Sequence, residues 1–319
     1  MNTMKWLLRR ELWENKGGFV WAPSIIGIIM VLGVAISAVL GLVMGSKHGI
    51  NIDGQQVTNL GELVDAGHKA QILEALANGY VGFAGPLFLV MTIAIFFFCL
   101  GSLFDDRKDK SILFWKSLPV SDAQMVLAKV AMALVGAPLL TLAIGFVTSV
   151  AFLIVICLVA AIGGLNLFGV LAEPALYTTP LELLAMLPVY ALWALPTVGW
   201  LMMVSAWART KPFLWAVGVP VIAGALLSWF EAIFDYGIRI ELFWQHVVGR
   251  GLGSIVPGIW FAFTDVGHDI GNHGDDADFT ELLAASWQVL GTANLWIGAV
   301  LGVAMIYAAI RLRRWRDEG

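Results

Sequence analysis

Six runs of this 319-residue chain are each long and apolar enough to cross a lipid bilayer: 19–45, 80–104, 126–162, 183–206, 213–230 and 289–310. A helical crossing needs about 20 mostly apolar residues. In hydrocarbon, every backbone polar group must find its partner inside the protein, so runs of this length are expected as α-helices. Composition agrees: 59% of residues are hydrophobic and only 13% charged, with a mean hydropathy of +0.83. A soluble domain is nearer half apolar and a quarter charged. The expected fold class is therefore an all-α integral membrane protein with one six-span domain over 19–310. Lipid replaces the buried core, so length says nothing about domain number. The third run exceeds one crossing and is expected to project from the bilayer or bend near Gly136 and Pro138.

Lys and Arg orient such a chain, because segments on the cytoplasmic side carry an excess of them. With both termini inside, 15 of the 19 fall on the inner side, leaving only Lys47, Lys69, Arg239 and Arg250 outside. Acidic residues are distributed the opposite way, and an odd number of spans would destroy the separation. Residues 1–18 lack the apolar core of a signal peptide. Lys5, Arg9, Arg10 and Lys16 alternate there with Trp6, Leu7, Leu8, Leu12 and Trp13, the pattern of an amphipathic helix lying in the membrane interface. Residues 311–319 read as a basic cytoplasmic tail.

Three segments face the other side. Residues 46–79 are polar, with a helix expected around 60–76, and 163–180 is short and punctuated by Gly and Pro. The segment 231–288 holds two apolar runs, 240–248 and 255–263, too short to cross and broken by glycines and Pro257. Runs of that length beside a span are expected as a re-entrant or interfacial helical hairpin.

Missing chemistry excludes several functions. No Asp, Glu, Lys, Arg or His lies deep in any of the six runs; Lys129 and Glu182 sit at ends where water is expected to reach them. Ion-driven carriers use an intramembrane ionisable group, so a secondary carrier is disfavoured. No G-x-x-x-x-G-K-[ST] loop is present to wrap phosphates. The serines of the spans have no His or Asp to activate them, which disfavours a membrane hydrolase. Cys99 and Cys157 lie in apolar runs and read as small buried hydrophobes. His268, Asp269 and His273 belong to an acidic outer patch whose spacing matches no standard ligand set, so a solvated loop is preferred to a metal site. Trp193, Trp200 and Trp207 recur every seven residues and share a helix face, as packing or lipid-facing residues more readily than as a substrate wall.

The remaining feature is the charged island 101–129, GSLFDDRKDKSILFWKSLPVSDAQMVLAK. Charges come first, from Asp105 to Lys110. Ser111 then opens a compact amphipathic segment in which Phe114 and Trp115 stand beside Lys116. Pro119 ends it, lacking the N–H and disfavouring helix in the residue before it. Ser121 and Gln124 are spaced as a capping box for the next helix. A plain connection between spans needs none of this, and the loop reads as a docking surface.

The stretch DDRKDKSILFWKSLPVSD, between the second and third spans, resembles the corresponding loop of ABC-2-type permeases, the membrane subunits of bacterial ATP-driven exporters. The span order of the whole chain is similar to the type V-like layout, including re-entrant helices between spans five and six. The resemblance implies a coupling helix seated in a cleft of a separate ATPase, with Asp105, Arg107, Lys108, Ser111, Phe114, Trp115, Lys116, Pro119 and Ser121 at the contact. It implies two ATPase subunits carrying ATP and Mg, a second permease copy as homodimer partner, and residence in the bacterial inner membrane. The chain itself is expected to bind no cofactor, to catalyse nothing, and to have lipid but no nucleic acid as a further partner. The expected activity is export of a hydrophobic or amphipathic cargo, such as an antimicrobial peptide, drug or lipid-like molecule. The alternative is a non-transporting partner of an ATPase in envelope-stress sensing or extraction from the bilayer.

Overall fold

The computed structural model describes residues 3–48, 50–52, 55–57, 66–109, 120–234, 237, 239–264 and 279–315. Six helical segments in it are long and apolar enough to cross a membrane: Gly17–Met44, His68–Lys108, Asp122–Ile162, Ala175–Trp207, Leu214–Phe234 and Ala293–Trp315. This is an all-α membrane protein, apart from a two-stranded antiparallel hairpin, β1 (Ile50–Ile52) and β2 (Gln55–Val57), in which Ile50 pairs with Val57.

In chain order the helices are α1 (Thr3–Glu14), α2 (Ala22–His48), α3 (Ala66–Gly79), α4 (Gly85–Lys108), α5 (Asp122–Ala131) and α6 (Ala137–Ile162). They continue as α7 (Ala175–Ala185), α8 (Leu187–Trp207), α9 (Val219–Phe234), α10 (Ile240–Phe243), α11 (Arg250–Gly253), α12 (Phe279–Gln288) and α13 (Ala293–Trp315). Of the helix expected around 60–76, residues 60–65 lie outside the described residues, and the rest falls in α3, which runs on to Gly79. The long third segment is interrupted by a π-helical turn at Met132–Gly136, just before Pro138. The wide turn lets the helix pass proline, which has no N–H to continue the ladder. The last helix does not stop at 310 but continues through Arg311, Arg313 and Arg314 to Trp315. Cations in a last turn are favoured by the exposed carbonyls and the negative end of the helix dipole.

Helix α8 forms the centre of the bundle. Trp193, Val198, Leu201 and Met202 are fully buried in it, and Phe98, Cys99 and Leu100 of α4 and Leu295 and Ile306 of α13 pack in the same core. Its tightest neighbour is α13. A methyl group added at Gly199 would lie 2.5 Å from the Gly302 carbonyl oxygen, and one at Gly302 would lie 2.5 Å from the Leu195 carbonyl carbon. Small residues at such a crossing let two membrane helices approach backbone to backbone. The flanks are the reverse: α2 exposes Ile25, Ile28, Ile29, Leu32, Ile36 and Leu40, and α9 exposes Ile222, Leu226, Trp229 and Ile233. Contiguous apolar faces of this extent are not tolerated in water; they are the faces a bilayer covers.

Candidate functional site: a buried charge cluster below the loop

The two helices that hold the 110–119 loop, α4 and α5, are fastened by ionic contacts at one end of the bundle. Asp106 of α4 and Asp122 of α5 both pair with Arg313 of α13, at 3.1 and 3.2 Å. The same Asp106 oxygen lies 3.6 Å from Nζ of Lys129, which is 3.3 Å from the Glu11 carboxylate of α1. Five charged side chains from α1, α4, α5 and α13 therefore form one chain, Glu11–Lys129–Asp106–Arg313–Asp122.

The cluster is buried: the side chains of Glu11, Lys129 and Arg313 are 2%, 4% and 3% exposed. Lys129 is thus not the water-reaching end charge expected of it. The chain turns α1 back over the bundle, burying Leu7 and Glu11 one turn apart, and that covers the ammonium. Taking ions out of water costs several kcal/mol each unless partners and hydrogen bonds replace the solvent. Here each cation has two carboxylates, an arrangement with little freedom to rearrange without breaking apart.

Glu11 is pushed above the ordinary carboxylate range by burial, with Lys129 and then Arg10 pulling it back only in part. A carboxyl whose folded value lies above its unfolded one takes up a proton on folding. Its contribution is therefore most favourable at acid pH and declines as pH rises from the ordinary value, about 4.3, through the raised one. Glu11→Gln is expected to flatten the fall in stability across that window, as read by thermal unfolding in detergent between about pH 4 and 8.

Hydrogen bonds complete the fastening. The Ser121–Gln124 capping box forms, with the Ser121 hydroxyl accepting from the Gln124 N–H at 3.2 Å and the Gln124 amide oxygen accepting from the Ser121 N–H at 3.2 Å. Arg107 points inward and donates to the carbonyl oxygens of Ser205 and Ala208, at 2.6 and 2.9 Å, where α8 ends. The Ser205 hydroxyl in turn accepts from the N–H groups of Leu103 and Phe104. Asp105 and Lys108 are exposed on α4. A groove of about 760 Å³ beside them is lined by Arg10, Glu14, Asp105, Asp106, Asp109 and Lys129. A second, of about 590 Å³, lies on the far side of α5 against Arg311, Arg313 and Arg314.

Of the residues singled out from sequence, Asp105, Arg107, Lys108 and Ser121 gather at this end. Ser111, Phe114, Trp115, Lys116 and Pro119 lie outside the described residues, as do His268, Asp269 and His273. Among the described residues no group of three or more His, Cys, Asp or Glu could hold a metal ion. Sequence reading missed Glu11, Lys129 and Arg313 as one unit, because they are separated by more than a hundred residues and follow no local spacing.

A second buried cation was also missed. Arg250 of α11, 5% exposed, stacks 4.3 Å over the ring of Trp193. It donates to the side-chain and main-chain oxygens of Asn294, and the absent side chain of Gly298 makes room for its guanidinium. Its carbonyl accepts from Thr197 and Ser254. Among the described residues no carboxylate pairs with it. Gly298→Leu is expected to expel the guanidinium and, by leaving Arg250 without Asn294, to destabilise the protein by about 3 kcal/mol or more, measurable as a lowered unfolding temperature in detergent.

No family model matches the chain, and neither does any curated protein or solved structure.

Proposed function

We propose that this chain is the permease subunit of an ATP-driven exporter of the ABC-2 type, working as a homodimer with two copies of a separate ATPase that binds ATP and Mg. The observation that carries the reading is that Asp106 and Asp122, on the two helices flanking the 110–119 loop, share Arg313. A surface meant to receive force must be tied to what it moves. Through Arg313, Lys129 and Arg107, displacement of the loop is passed to α13, α1 and α8 together, not dissipated in a flexible connection. In this reading the charged end faces the cytoplasm of a bacterium. Helix α1 lies in the membrane interface with Trp6 and Trp13 outward, and the continuous helical run Ile240–Gly253 with the turn that follows it re-enters the outer half of the bilayer. Asp105 and Lys108 with the two flanking grooves offer polar contacts to the ATPase, and Phe114 and Trp115 fill its cleft. The cargo is hydrophobic or amphipathic, because the faces turned to lipid carry no charged path.

The test is co-purification in mild detergent with the ATPase encoded nearest to this chain, with ATP hydrolysis measured in both states. A complex with permease-dependent hydrolysis is expected. Truncating a buried aromatic anchor costs about 2 kcal/mol or more, so Phe114→Ala with Trp115→Ala is expected to weaken assembly at least about 30-fold. Unchanged assembly and hydrolysis in the double variant would overturn the assignment of the loop.

A further inference from the structure

At the end of the bundle away from the charge cluster, α4, α6, α7 and α8 line a half-open cavity of about 350 Å³ with the Pro257–Phe261 turn and α12. By the helical rise of 1.5 Å per residue, Tyr190 and Gly85 lie roughly 25 and 35 Å along their helices from Trp207 and Lys108. The pocket therefore lies in the half of the bundle away from the charge cluster, toward the opposite membrane face. Phe88, Met91, Leu142, Leu187, Trp260 and Leu282 are among its lining residues.

Two of its lining residues carry a polar side-chain atom, and both atoms are already engaged. The Tyr190 hydroxyl donates to the Ile255 carbonyl at 3.1 Å, and the Trp260 indole N–H donates to the Ser286 hydroxyl at 3.2 Å. A polar ligand would find both side-chain N–H and O–H donors of the lining already used. Water needs two to four polar partners to occupy a buried site, and apolar cavities stay dry and take apolar guests. The volume falls at the small end of the range for ligand sites. Beside the cavity, Leu89, Leu181 and Leu184 are exposed on α4 and α7, so its surroundings continue the apolar outer surface.

We propose that this cavity holds an acyl chain of a membrane lipid, drawn from the leaflet opposite the charge cluster. An acyl chain matches each property: it needs no hydrogen bond, it is narrow, and it is the solvent of the surface onto which the cavity adjoins. A bound chain would wedge between the spans and the Pro257–Phe261 turn, just after Ile255, whose carbonyl accepts from the Tyr190 hydroxyl of α8. The inference rests on the membrane character of the chain and not on its ATPase partnership.

Gly85 provides the test, since a methyl group added there meets no atom within 4 Å and a larger side chain can enter the cavity. The purified chain would be placed in nanodiscs containing a phosphatidylethanolamine with a diazirine midway along one acyl chain, illuminated, digested and mapped. Cross-links are expected on the peptides bearing Phe88, Met91 and Trp260, reduced about tenfold by Gly85→Phe and by Leu282→Trp. Gly33→Phe, at an open position on α2, is expected to leave them unchanged. Cross-links confined to the exposed faces of α2 and α9, or equal labelling of the cavity peptides in both filling variants, would overturn the proposal. So would a change in oligomeric state on filling, which would make the occupant a second copy of the chain.

Discussion

Replacing Lys129 by methionine is expected to destabilise the protein by about 3–5 kcal/mol, the usual cost of removing one partner from a buried ion pair. The ammonium bridges the Glu11 and Asp106 carboxylates, and it is 4% exposed, so water cannot take its place. Asp106 keeps Arg313, but among the described residues the cation left to Glu11 is the more distant Arg10, at 4.0 Å. The penalty should depend on pH with a defined sign. Glu11 already holds its proton more tightly than an exposed carboxyl, and without the ammonium it will hold it more tightly still. Acidification therefore neutralises the stranded charge, and the gap between wild type and variant should narrow as pH falls toward 4. Thermal unfolding in detergent at several pH values measures this. Combining Lys129→Met with Glu11→Leu should recover most of the loss, because apolar residues often replace a buried ion pair without cost. A double variant as unstable as the single one would show that the ammonium acts mainly through Asp106.

The second large effect is expected at the crossing of α8 and α13. Gly302→Ala should lower stability by about 3 kcal/mol, at the upper end of the cost of overpacking. The atoms a methyl group would strike are the Leu195 carbonyl and the Pro196 nitrogen, at 2.5–2.8 Å. They are main chain, so no side-chain rotation relieves the clash, and the helices must part. The control reverses the sign. At Gly33 of α2 an added methyl meets nothing, and Gly→Ala in an open helix position is favourable by up to about 1 kcal/mol. Unfolding temperatures moving in opposite directions for the two substitutions would establish the backbone contact. A neutral Gly302→Ala would refute it.

The membrane architecture was legible in the sequence because hydrocarbon leaves few options. Run length alone sets the spans, and Ser121 and Gln124 announce a helix start through a three-residue spacing that the geometry then satisfies. The irregularity of the third span, a π-helical turn at Met132–Gly136, falls beside the Gly136 and Pro138 that mark it in the sequence. Lys129 shows where such reading stops. By sequence it is a cation near a span end, where side chains usually reach water, and nothing adjacent marks it as buried. Its burial depends on Glu11, which lies 118 residues away and arrives only when α1 folds back. Arg250 failed similarly. It sits in a segment counted as outer, and its cradle comes from Trp193, Asn294 and the empty space at Gly298 on two other helices. The amphipathic pattern of residues 1–18 was read as a membrane-facing helix, but that same pattern also supplies the buried face of Leu7 and Glu11. Periodicity identifies a face and leaves open what covers it.

The sharing of Arg313 also bears on how the chain is made. Asp106 precedes Arg313 by 207 residues and Asp122 precedes it by 191. During synthesis the second and third spans are in place long before their common cation leaves the ribosome. Until then Asp106 and Asp122 lack their common cation, and α4 and α5 are not yet fastened to α13. Closure of the cluster is therefore a late event in biogenesis, set by the emergence of the last helix. A nascent chain cannot tie α4 and α5 to α13 before its final span has been inserted.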